Sequence, residues 1–182
     1  LVRDSIYKEI EIPLPAVNSK HTIPIAEKDA DNAIEIKPDW TLVPRIARYT
    51  GMRLREILRL TDKDIVEING IKCIKVSEKA KSGKERIVPV AEKLKPYLDD
   101  FSEIENTKRQ FNHWNAMVKK INPDYKFHSW RSYAISQMTK NGVDPVVRMR
   151  IVGHKVTGDL SVHSDYTNIE IEQMKKAVDV IF

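Results

Sequence analysis

Asn69-Gly70 limits the fold of this chain more than any other pair of residues. Both residue types adopt positive φ at low cost, and they separate two apolar, β-branched runs, Ile65 to Ile68 and Ile71 to Val76. That combination specifies a tight two-residue hairpin. Ser82-Gly83 marks a second turn, after which Arg86 to Val90 reads as a third strand. Outside this short stretch the apolar period becomes helical. Asp39 can cap a helix through Trp40, Leu42, Ile46 and Ala47, with Pro44 in its first turn, and Gly51 ends it. Leu54, Ile57 and Leu58 then predict a helix over Arg53 to Leu60, which sets Arg53 at a helix N-terminus beside unpaired amides. Everything after Pro89 reads as helical. One stripe is Phe111, Trp114, Met117, Val118 and Ile121, and another is Trp130, Ala134 and Met138, closed by Asn141-Gly142. Asp144-Pro145 starts a helix that stops near Gly153, and the last stripe is Ile171, Met174, Val178 and Ile181. The fold class expected is mainly α with a small three-stranded antiparallel sheet (α+β).

The chain has 182 residues and 41% hydrophobic content, which suits one domain with a real core. Basic residues number 31 against 26 acidic ones, a formal charge of +5 that favours an anionic partner without identifying it. Cys73 is the sole cysteine, which excludes an internal disulfide framework and fits a reducing, cytoplasmic setting. No apolar run is long enough to span a membrane, and no secretory leader is visible. Residues 1–38, with Pro13, Pro15, Pro24 and Pro38, read as an extended lead-in holding one short strand or helix, and the folded domain is expected over residues 39–182. Because the chain starts at Leu1, we expect a domain upstream of it in the parent protein.

The chemistry is concentrated in a few short segments. Arg53 and Arg131 are planar, permanently charged forks, suited to the non-bridging oxygens of a five-coordinate phosphorus. Alone, either would read as a solvated surface charge. His128 and Arg131, three apart on a helix, project from one face. His154 follows Gly153 at a helix end, where a histidine ordinarily satisfies a structural hydrogen bond. Lys79, Lys81 and Lys84 surround the second turn, where most lysines only keep a hairpin edge soluble. Tyr166 precedes the terminal amphipathic stripe, a place where a tyrosine is usually a packing or surface residue.

The conjunction is more specific than any part. Tyr49-Thr50-Gly51-Met52-Arg53-Leu54-Arg55-Glu56, Lys81-Ser82-Gly83-Lys84, His128-Ser129-Trp130-Arg131, Gly153-His154 and Asp165-Tyr166-Thr167 occur in one order. Over Asp39 to Phe182 the chain resembles the catalytic domain of the tyrosine recombinases, the phage-integrase family. Trp130 and Val152 stand where that family commonly has leucine.

The resemblance implies that Arg53 and Arg131 clamp the scissile phosphate, His128 assists proton transfer from the nucleophile, and His154 hydrogen-bonds the phosphate. It further implies Tyr166 as nucleophile, Lys81 (with Lys84 as the alternative) as the acid protonating the leaving 5′ oxygen, and Glu56 as a partner orienting an arginine or histidine. The reaction implied is site-specific cleavage and rejoining of double-stranded DNA through a 3′-phosphotyrosine, for integration or excision of a mobile element. No metal, cofactor or ATP is implied. Four protomers would act on two duplexes in the full-length protein, the stripe from Ile171 to Ile181 docking on a neighbour. The core-binding domain that precedes such catalytic domains is absent from this sequence. Other readings are a type IB topoisomerase, a non-catalytic DNA-binding module, and a metal hydrolase using His128 and His154, which lacks close ligand spacing.

Overall fold

The structure, a computed structural model, describes residues 22–35, 42–77, 85–99, 101–104, 107–154 and 170–181. The expected hairpin is present: β1 (Ile65–Ile68) pairs antiparallel with β2 (Ile71–Val76), Ile68 facing Ile71 across the turn. Asn69 and Gly70 take φ of 52° and 74°, the conformation that makes Asn-Gly the favoured pair there. β3 (Arg86–Pro89) joins the other edge of β2, with Ile74 opposite Val88 and Val76 opposite Arg86, giving the order β1-β2-β3. Residues 78–84, including the second turn and its lysines, lie outside the described residues.

Seven helices are described: α1 (Glu27–Glu35), α2 (Leu42–Thr50), α3 (Leu54–Ile57), α4 (Lys108–Ile121), α5 (His128–Lys140), α6 (Pro145–Val152) and α7 (Ile171–Asp179). α2 packs on α5, α5 on α6, and α6 on both β3 and α7. One core joins them, with Ile46, Ile57, Ile74, Val88, Trp130, Met138, Ile151 and Val178 almost fully enclosed. The mainly α arrangement with one three-stranded antiparallel sheet agrees with the sequence expectation.

Several elements depart from it. The helix expected over Arg53 to Leu60 is one turn. Arg59 and Leu60 donate to the carbonyls of Glu56 and Ile57 three residues back, and Thr61 then leaves the helix, its amide and hydroxyl bound to Asp64 at 2.9 and 3.0 Å. Beyond Pro89 the chain is not all helical: Lys95–Tyr97 is a 3₁₀ turn and Glu103 bridges to Thr61. The stretch read as a lead-in holds one short helix, as expected: α1 is seated on the core through Ala30, with Ile25 buried just before it. Arg48 holds it by donating to the Ala30 carbonyl (3.2 Å) and pairing with Asp31 (2.7 Å), while the Tyr125 hydroxyl donates to Asp29 at 2.9 Å.

Met174, Ala177, Val178 and Ile181 of the terminal stripe lie in this chain's own core, against α6, β2 and β3. Lys175 fixes the helix from outside, bridging Glu92 (2.9 Å) and Asp179 (2.6 Å).

Gly51 is the point on which the layers converge. It follows α2 at φ 64°, and a Cβ there would lie 2.8 Å from Val152 Cγ1 of α6 and 3.4 Å from Ala134 of α5. Gly51→Ala combines left-handed strain with overpacking, so we expect a loss of about 2–4 kcal/mol in urea unfolding. A loss under about 0.5 kcal/mol would show that α6 yields readily.

Candidate active site

The bend at Gly51 delivers Arg53 as the N-cap of α3, with extended φ and ψ of −74° and 147°. Its own amide is capped, with Glu56 accepting from it at 2.8 Å. The same carboxylate takes Arg53 Nη1 at 3.0 Å. It is also held by a residue that sequence reasoning did not single out: Arg86, whose Nη1 and Nη2 reach Oε1 and Oε2 at 3.1 and 2.8 Å. Four donors therefore saturate the buried Glu56 carboxylate. Burial pushes its pKa up, but hydrogen bonds and charge from Arg86, with hydrogen bonds from Arg53, outweigh burial and hold the carboxyl below its usual value. A signal for Arg86 did exist. It shares strand parity with the buried Val88, and a charge on the inward side of a strand calls for a partner.

α5 supplies the next pair. Its side chains divide the work by depth: His128, its first residue, is exposed, whereas Arg131 is 1% exposed on the floor of the site. Arg131 Nη1 donates to the Gly51 carbonyl at 2.7 Å. Its Nε and Nη2 are buried without a hydrogen-bond partner among the described residues. Burial first, then the charges of Arg53 and Arg86, push its pKa down to about 9 against the pull of Glu56. The guanidinium stays cationic at neutral pH.

α6 begins where Asp144 accepts from the amides of Val146 and Val147, and it ends at Gly153, left-handed at φ 69° and ψ 43°. The His154 amide closes on the Met149 carbonyl at 3.0 Å. Glycine is required twice at position 153, since a Cβ would also lie 2.9 Å from Arg86 Cζ. The His154 ring opens to solvent at the rim of the site. Its pKa is nevertheless pushed down to about 4, by surrounding protein first and then by Arg131, Arg53, His128 and Arg86. His128, although exposed as a residue, is lowered too, first by the protein packed against part of its ring and then by the charges of Arg131, Arg53 and Lys126. These shared fields place Arg53, Glu56, His128, Arg131, His154 and Arg86 around one centre. Lys81, Lys84 and Tyr166 lie outside the described residues.

A histidine with a depressed pKa leaves the native state short of protons relative to the unfolded chain. Stability is then full above pH 6.5 and falls as pH drops towards 4. We expect the urea midpoint to decrease from pH 7.5 to 5 and to be partly restored by inorganic phosphate, whose charge favours imidazolium. A flat profile, or one insensitive to phosphate, would contradict this electrostatic picture.

Residues 29–173 match the model of the phage integrase family. No curated protein matches the chain. Among solved structures, the integrase from mycobacterium phage Brujita superposes with a TM-score of 0.71 at 12% identity, covering 94% of this chain and 62% of that one. The XerA recombinase gives 0.56 at 22% identity, with coverage of 86% and 64%. The Tn1549 transposon integrase, in complex with circular intermediate DNA, gives 0.57 at 16% identity, with coverage of 87% and 65%. The chain thus spans a little under two thirds of these structures. They share its fold, and with most of its length inside the family match, the chain belongs to the phage integrase family of tyrosine recombinases.

Proposed function

We propose that this chain is the catalytic part of a site-specific DNA recombinase that cleaves and rejoins strands through a 3′-phosphotyrosine on Tyr166. The observation that carries the reading is Arg131: a buried guanidinium with two nitrogens that have no partner among the described residues, beside a second arginine, in a site whose sole described carboxylate partner is already saturated. Burying such a charge is costly without an anion to meet it. A phosphodiester supplies one, and its charge grows in the transition state, which is where preorganised donors act. A metal hydrolase would instead have to seat a cation among three arginines.

In this reading Arg53 and Arg131 hold the non-bridging oxygens. His128, unprotonated at neutral pH, can accept the tyrosine proton, and His154 can donate a ring N–H to the phosphate while neutral. Tyr166 forms the P–O bond as the 5′ oxygen departs, taking a proton from Lys81 or, failing that, Lys84. A 5′ hydroxyl of the partner duplex then reverses the step. Bond energy stays in the covalent link, so ATP and metal are not needed. Double-stranded DNA is the partner, a tetramer the working assembly in the full-length protein, and integration or excision of a mobile element the role. The chain should be associated with the nucleoid when bound; among the described residues no helix is long and apolar enough to cross a membrane.

Nicked suicide duplexes from the source genome provide the test, because loss of the short 5′ fragment traps any covalent complex. SDS-resistant adducts whose trapped ends share a sequence support the reading. Adducts without strand exchange would point to a topoisomerase, and DNA binding with no adduct would point to a non-catalytic module.

A further inference from the structure

We infer that Arg86 is a positioning residue for phosphoryl transfer, acting through Glu56 on Arg53 and through the end of α6 on His154. The inference rests on the recombinase reading of the site. Arg86 is 7% exposed at its side chain and uses three directions of its fork at once. Two Nη atoms grip Glu56, and Nε donates to the Ile151 carbonyl at 3.0 Å. Its guanidinium also lies against the Cα of Gly153, in the space a Cβ would occupy.

The bland account is a buried ion pair that supports the fold. Such pairs are commonly no more stabilising than apolar residues of equal volume, so stability alone does not explain a fork at this place. Orientation does. Each Glu56 oxygen is shared, Oε1 between Arg53 Nη1 and Arg86 Nη1, Oε2 between the Arg53 amide and Arg86 Nη2. With Arg86 removed, the carboxylate's hydrogen bonds among the described residues are those to Arg53, and it can turn with it. With Arg86 present, the angle of the Arg53 fork is referred to a strand. The bond to Ile151 refers the backbone before His154 to that same strand. One planar group thereby sets the spacing of two phosphate-facing side chains carried by separate helices, and small errors in such spacing are costly in rate.

Arg86→Lys keeps the charge beside Glu56 but loses the fork and the bond to Ile151. Measured on trapped suicide duplexes under single turnover, with folding checked by near-ultraviolet circular dichroism, cleavage should fall about 10- to 100-fold while DNA affinity changes less than about threefold. A purely structural role predicts a loss that tracks the unfolded fraction and disappears on cooling. Arg86→Met serves as the second variant, being apolar and of similar length, and should show the same split. Fully folded variants that cleave at the wild-type rate would overturn the inference. If wild type itself forms no adduct, the recombinase reading fails, and positioning is read separately from the NMR signals of the Arg53 guanidinium and His154 ring. They should shift in Arg86→Lys, and unchanged signals would overturn the inference independently.

Discussion

Tyr166→Phe should eliminate SDS-resistant DNA adducts while leaving DNA affinity within about twofold of wild type, since only one oxygen is removed and an aromatic ring still fills the space. The expectation follows from the centre that the described residues build. Ionising a free tyrosine at pH 7 costs about 4 kcal/mol. In the proposed reading Tyr166 ionises beside Arg53, Arg86 and Arg131, with Glu56 as their balancing carboxylate, and their field together with proton acceptance by His128 lowers that cost. Adducts that persist in Tyr166→Phe would move the nucleophile elsewhere. Loss of binding together with cleavage would show that the hydroxyl contributes to docking.

Arg131→Met should separate stability from activity in opposite directions. Cleavage should fall by about two to three orders of magnitude, as for loss of one preorganised oxyanion donor. DNA affinity should drop as well, because the phosphate contact proposed for Arg131 goes. In the absence of DNA the variant should nevertheless be as stable as wild type or more stable, by up to about 3 kcal/mol, because a buried cation with two nitrogens unpaired among the described residues becomes an apolar side chain of similar length. The Gly51 carbonyl loses its 2.7 Å donor, which offsets part of that gain. Equilibrium unfolding with and without phosphate measures both effects. A marked loss of stability in Arg131→Met would mean that the guanidinium is satisfied in the free protein and that the anion seat is not poised.

Local signals carried most of the fold. β1 and β2 are bounded as expected because Asn69-Gly70 fixes both the turn and the register, and the Asp144 cap and Gly153 stop bracket α6 because capping chemistry lies within a few residues. Where a second local signal competes, the pattern misled: the stripe Leu54, Ile57 and Leu58 is buried as a helix would bury it, yet the Thr61–Asp64 capping box draws the chain away after one turn. The stripe of α7 announced a buried face but not which surface would cover it. Within the candidate site, Arg53, His128, Arg131 and His154 were named from short motifs. Arg86 was not, since its partners Glu56 and Ile151 stand 30 and 65 residues away. Lys81, Lys84 and Tyr166 rest on the motifs themselves.

Those separations bear on when during its life the protein becomes able to act on a phosphodiester. The contact between Gly51 and Arg131 spans 80 residues, and the one between Arg86 and Ile151 spans 65, so the centre closes only after nearly the whole domain has been synthesised and packed. A nascent chain on the ribosome, or a proteolytic fragment ending before α6, holds Arg53 and the hairpin but no assembled site. For a protein whose proposed chemistry breaks DNA strands, long sequence separation is thus a safeguard: incomplete copies are born unable to cut.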